Sequence, residues 1–119
     1  MSQVDFFCQL LREEEVSGVQ IVSFSNKDIS DEQDVQQLGE ELMSLLDGPC
    51  KVIVNFSNVQ RLSSAALGKL IGISRRVRAA QGELRLCCLP PNIMRVFNLM
   101  KLDQLFEIYD DQAAALEGF

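Results

Sequence analysis

Apolar positions along this chain recur with two different periods, and the switches between them mark out the elements. VDFFCQLL, Val4 to Leu11, reads as a first strand, and the acidic segment Arg12 to Glu15 followed by Gly18 would then turn the chain. GVQIVSFS, Gly18 to Ser25, begins with Val19 and Ile21 alternating with Gln20, but Val22 and Phe24 break the phase. A short run rich in β-branched residues predicts a mostly buried strand all the same. Beyond the polar NKDISDEQD, with Ser30 or Asp31 as cap, Val35, Leu38, Leu42 and Leu45 return at helical spacing. They predict a helix from Glu32 to Leu46, with Gly39 a mild cost inside it and Asp47, Gly48 and Pro49 ending it.

KVIVNF, Lys51 to Phe56, has a continuous apolar centre and predicts a strand covered on one or both faces. A second helix is expected from Ser64 to Ala80, with Leu67, Leu70, Ile71, Ser74 and Val77 on its inner face and Gly82 ending it. ELRLCCL, Glu83 to Leu89, reads as a strand broken by Pro90 and Pro91, and Pro91 suits the first turn of another helix. Ile93, Val96, Phe97 and Met100 give that helix its inner face. Leu105 to Tyr109 predicts a small closing strand, and DDQAAALEGF a short last helix. The order strand, strand, helix, strand, helix, strand, helix, strand, helix implies an α/β sheet with helical crossovers.

Composition narrows the function classes. With 119 residues, 47% hydrophobic and 24% charged, and no linker or repeat, the chain is expected to form a single domain over 1–119. The formal net charge of -6 argues against nucleic acid, whose phosphates call for clustered Lys and Arg. Histidine is absent, and Cys8, Cys50, Cys87 and Cys88 form no CxxC pair, so neither a metal site, a cofactor nor a disulfide framework is expected. In a strand the adjacent Cys87 and Cys88 would point to opposite faces, and both are read as structural. The first residues carry no basic region and no stretch is long enough for membrane insertion, so a cytoplasmic, reducing setting is expected.

Little else carries catalytic chemistry. An enzyme built on Cys87 or Cys88 would lack a histidine base, and no convincing acid pair exists, so no catalytic residue is assigned. Asp28, Asp31, Glu32 and Asp34 suit the start of a helix and do not form a calcium loop. Gly68-Lys69 is not a phosphate-binding loop, because no glycine stands five positions earlier and Leu70 replaces the required Ser or Thr. Arg75, Arg76 and Arg78 read as a solvated face, with a patch for an acidic partner as the alternative. The stretch that remains is RLSSAALGKL, Arg61 to Leu70, where Ser63 and Ser64 stand at a helix start and at least one of them is expected to cap it.

From Lys51 onward the chain resembles the STAS domain of bacterial anti-sigma factor antagonists. The likeness rests on VIVNFSNV as central strand, LSSAALGKL as motif loop and helix start, and GELRLCCLPPNIMRVFNLMKLDQLFEIY as the remainder. Leu102, Asp103, Leu105 and Phe106 fit the family's ending, although Lys101 stands where glycine is common. The resemblance implies a mixed sheet of four to five strands with helices packed mainly on one face. It places the family's motif Asp on Ser63, its phosphorylated serine on Ser64, its second Ser or Thr on Ala65 and its glycine on Ala66, while Leu67 and Gly68 keep their types. Asn55 lies where an Asp is common.

What the resemblance implies is a non-enzymatic protein-interaction domain of a partner-switching pathway in transcription regulation. Its partner would be an anti-sigma factor or related serine kinase, held through Leu62, Ser63, Ser64, Ala65, Ala66, Leu67 and Gly68. Phosphate on Ser64, with Ser63 as the alternative acceptor, would release that partner, since it adds roughly 1.5 to 2 negative charges at the contact. Ala66 in place of glycine would narrow the backbone choices there, because alanine tolerates positive φ poorly. The other reading is a structural or scaffolding STAS-like protein, a homodimer or subunit of an assembly, unrelated to sigma-factor control.

Overall fold

The computed structural model describes residues 11–16, 18–24, 28–29, 32–45, 51–117 and 119. Most of the first strand read from Val4 to Leu11 and the caps Ser30 and Asp31 therefore lie outside the described residues. The acidic segment read as a turn is instead part of strand β1 (Leu11–Val16), which pairs antiparallel with β2 (Val19–Phe24) around Gly18. Among the described residues β1 forms one edge of the sheet. At φ +81, Gly18 takes the left-handed conformation that the tight reversal requires.

A five-stranded sheet runs β1-β2-β4-β6-β7, with β4 (Lys51–Asn55), β6 (Glu83–Cys87) and β7 (Glu107–Tyr109) all parallel to β2. Helices α1 (Glu32–Leu45), α2 (Ser64–Ala79) and α3 (Pro91–Leu99) form the crossovers, and a short α4 (Gln112–Leu116) follows β7. Three short elements escape the periodicity: strands β3 (Asp28–Ile29) and β5 (Arg61–Leu62) pair in a separate two-stranded sheet, and a 3₁₀ turn spans Leu102–Gln104. Each is too short to express a period.

The broken phase of the second strand has a packing cause. Val22 and Phe24 belong to the large core beneath α1, α2 and α3, whereas Val19 and Ile21 belong to a smaller cluster on the opposite face with Ile53, Cys87 and Ala115 of α4. The strand is buried on both sides, so apolar residues fill both phases. In the large core Phe24, Phe56, Phe97 and Phe106 stand in line with ring centroids 5.2, 6.2 and 5.9 Å apart, tying the sheet to α3. Met100, expected on the inner face of α3, is exposed just past its end, and Ile73, which was not singled out, is buried on α2.

Glycine does not cap α2. The left-handed residue is Gln81, at φ 63, with Gly82 N–H donating to Val77 O at 2.8 Å and Gln81 N–H to Arg78 O at 3.0 Å. These are the two bonds of a Schellman ending, carried one residue earlier than the glycine suggests. On the opposite face Arg85 secures α4 and the segment after it. Its Nη1 donates to Ala115 O at 2.7 Å and Glu117 O at 2.8 Å, and the guanidinium lies 4.0 Å from the centroid of Phe119. Its Nε lies 3.4 Å from Glu107 Oε1, close enough for charge attraction but without a hydrogen bond.

Candidate functional site

The parallel strands end together at Phe24, Asn55, Cys87 and Tyr109, and the segment from Phe56 to Ser63 crosses that end before α2 begins. Hydrogen bonds stake this segment along its length. Asn55 Oδ1 accepts from Ser57 N–H at 2.8 Å, and Val59 N–H closes a turn onto Phe56 O at 2.9 Å. Asn58 Nδ2 donates to Phe24 O at 3.0 Å, and Asn92 Nδ2 donates to Gln60 O at 2.9 Å. Ser63 N–H donates to Ile29 O at 3.1 Å, which continues the β3–β5 pairing up to the helix. Asn58 and Asn92 were not foreseen, because a side chain bonding a distant carbonyl leaves no local signature in sequence.

The two serines have different tasks. Ser63 is the N-cap: its backbone is extended, and its Oγ accepts from Ala66 N–H at 3.1 Å. Leu67 N–H reaches Ser63 O at 3.0 Å, the first intrahelical bond. Ser64 is the first helical residue and is exposed, as is Ala65. The amides of Ser64 and Ala65 precede any intrahelical acceptor, so they point outward at the positive end of the helix dipole. No acidic residue stands in the first turn.

Ala66, expected to constrain the backbone, imposes nothing: it sits in ordinary helical conformation with its methyl fully buried. Of the remaining candidates, Leu67 is buried, Leu62 half-buried and Gly68 exposed. A Cβ placed on Gly68 would meet nothing within 4 Å, so no part of the described chain approaches it closely. The structure thus brings Ser64, Ala65 and Gly68 together as one exposed surface, while Ala66 and Leu67 anchor it from below.

From Ala65 this surface runs into a groove between α1 and α2, with a volume of about 740 Å³. Gly68, Lys69, Gly72 and Arg76 form one wall and Val35, Gly39 and Met43 part of the other. A Cβ on Gly39 would stand 3.2 Å from the stem of Lys69, a tight contact that the lysine would have to yield to. Arg75, Arg76 and Arg78 are all exposed, and Arg78 Nη2 also donates to Leu105 O at 2.9 Å. Among the described residues no cluster of three or more His, Cys, Asp or Glu could hold a metal ion, and no helix is long and apolar enough to cross a membrane.

A strand order with one antiparallel edge, three helical crossovers and an exposed serine at the second crossover helix defines a class of protein. The STAS domain family model matches residues 9–115, and the chain belongs to that family. BtrV of Bordetella bronchiseptica, an anti-sigma factor antagonist by name, is 31% identical over 85 residues, spanning 71% of this chain and 73% of the relative. The anti-sigma-factor antagonist (STAS) domain protein of Planctomyces limnophilus superposes with a TM-score of 0.79 at 23% identity, over 89% of this chain and 94% of that one. The Bacillus cell fate determinant SpoIIAA in its phosphorylated form gives a TM-score of 0.64 at 19% identity, over 87% and 95%. These structural likenesses concern the fold.

Proposed function

We propose that this STAS domain is an anti-sigma factor antagonist whose surface from Leu62 to Gly68 binds an anti-sigma factor or related serine kinase, and that phosphorylation of Ser64 releases the partner. The domain acts by binding and catalyses nothing itself. The observation that carries the reading is the division of labour between the serines. Ser63 Oγ holds the cap, so the Ser64 hydroxyl is exposed at the helix start and free to accept a phosphoryl group. The relative named as an anti-sigma factor antagonist supports the partner class.

A phosphate there would gain from the outward amides of the first turn and the dipole, and would place a dianion in the middle of the contact. Incubation with ATP and an anti-sigma serine kinase from the same genome, followed by peptide mapping, tests this. One phosphate on Ser64, none on Ser64→Ala, and loss of kinase binding in Ser64→Glu are expected. Efficient labelling of Ser64→Ala at Ser63 would instead make the capping serine the acceptor. Failure of the unmodified chain to bind any such kinase would leave the scaffolding reading in its place.

A further inference from the structure

The adjacent cysteines do not sit as a strand would place them. Cys87 is the last residue of β6 and is fully buried, with its side chain among Val19, Ile21, Ile53 and Ala115. Continuing the strand would send Cys88 to the opposite face. Instead Cys88 adopts φ 61, one of three non-glycine residues with positive φ among the described ones, and its side chain packs against the same cluster. Both cysteines therefore meet the same small apolar cluster. Left-handed backbone at a residue with a Cβ is a local strain that surrounding structure must hold, and such positions gather at functional sites.

Backbone bonds hold both residues in place. Phe56 N–H donates to Cys87 O at 3.0 Å, and Cys88 N–H donates to Tyr109 O at 3.3 Å. Cys88 is half-buried whereas Cys87 is fully buried, so Cys88 is the more accessible of the two. Desolvation, then the neighbouring Cys88 thiol and Asp111, push the Cys87 thiol up to about 12, so it meets a ligand in the protonated form.

We propose that Cys87 and Cys88 form a vicinal-dithiol site that takes a soft, thiophilic ligand of the trivalent organoarsenic class through both sulfurs at once. Two thiols on one face suit an acceptor needing two sulfur ligands. With an arylarsenic(III) oxide, two As–S bonds form and the As=O bond breaks. The two thiol protons leave with that oxygen as water, and arsenic stays trivalent, so no oxidant is needed. The site lies at the C-terminal end of the sheet against Ala115 and Leu116, separate from the Ser64 surface on α2.

The folded, reduced full chain is treated with phenylarsine oxide, and its intact mass, free thiols and adduct-bearing peptide are measured. One arsenic per chain, loss of two thiols mapping to Cys87 and Cys88, resistance to excess glutathione and release by 2,3-dimercaptopropanol are expected. A Cys8→Ser/Cys50→Ser variant keeps the adduct, and Cys88→Ser loses its resistance to glutathione. Cys88→Ser changes only the half-buried partner, and circular dichroism confirms that it is folded. An adduct that glutathione strips from the unaltered chain, one that survives in Cys88→Ser, or one that forms only in urea would each overturn the proposal.

Discussion

At the scale of single residues, one hydrogen bond separates two side chains of identical chemistry. Ser63 spends its oxygen on Ala66 N–H, which would otherwise be an unmet donor at the helix start, whereas Ser64 leaves its hydroxyl in solvent. Ser63→Ala is therefore expected to cost about 1 kcal/mol of unfolding free energy in urea. Ser64→Ala should fall within roughly 0.5 kcal/mol of the unaltered chain, as surface changes usually do. Equal losses in the two variants would contradict the assigned cap. Ala66 teaches a related lesson: its place in the third helical position is governed by burial of its methyl, and no unusual φ is asked of it.

At the scale of elements, α2 has an inner face filled by Leu67, Leu70, Ile73 and Val77 and an outer face whose start is small and open. Gly68 lies on that outer face, inside the helix, with room for a methyl. Replacing it with alanine removes the entropic cost of a helical glycine, so Gly68→Ala should stabilise the free chain by about 0.5 to 1 kcal/mol. The same methyl would stand in the proposed partner surface, and calorimetric titration should show weaker binding despite the gain in stability. A variant that is more stable and binds as well as before would move the contact away from Gly68. Opposite α2, α1 leaves a groove, and the stem of Lys69 passes close to the glycine inside α1.

At the scale of the whole molecule, the sheet carries unequal cover: three helices on one face and short α4 on the other. The thinner side depends on polar and aromatic anchoring, with Arg85 bonded to two carbonyls after β7 and stacked near Tyr109 and Phe119. It also contains Cys87, whose thiol is pushed from 9.0 to about 12 by burial, by Cys88 and by Asp111. In the unfolded chain this thiol ionises near 9, while in the folded chain it keeps its proton. The contribution is thus complete below pH 9 and is lost as pH rises from 9 toward 12. The Tyr109 hydroxyl, raised by desolvation and by its bond to Glu107, adds a loss of the same sign. Melting temperatures across this window should fall less steeply for Cys87→Ala than for the unaltered chain; parallel curves would show that the buried thiol does not govern alkaline unfolding.

The sequence by itself determined the order of the longer elements from β2 onward, most of the buried faces of α1, α2 and α3, and the helix start at the serine pair. Each of these is written within a few residues, in a period, a cap or a proline, and so survives without knowledge of distant neighbours. Likeness in the motif stretch singled out Ser64 before any geometry did. Tertiary structure decided what adjacent residues of the same type do. It matched β3 with β5 across the chain, assigned the two phases of β2 to two cores, and set Gln81 rather than Gly82 left-handed. It also turned Cys88 to the side of Cys87, against the alternation that strand geometry predicts. A strand's period tells which face a residue takes only while the strand continues, and where it stops is settled by the contacts that Tyr109 and Phe56 bring from elsewhere.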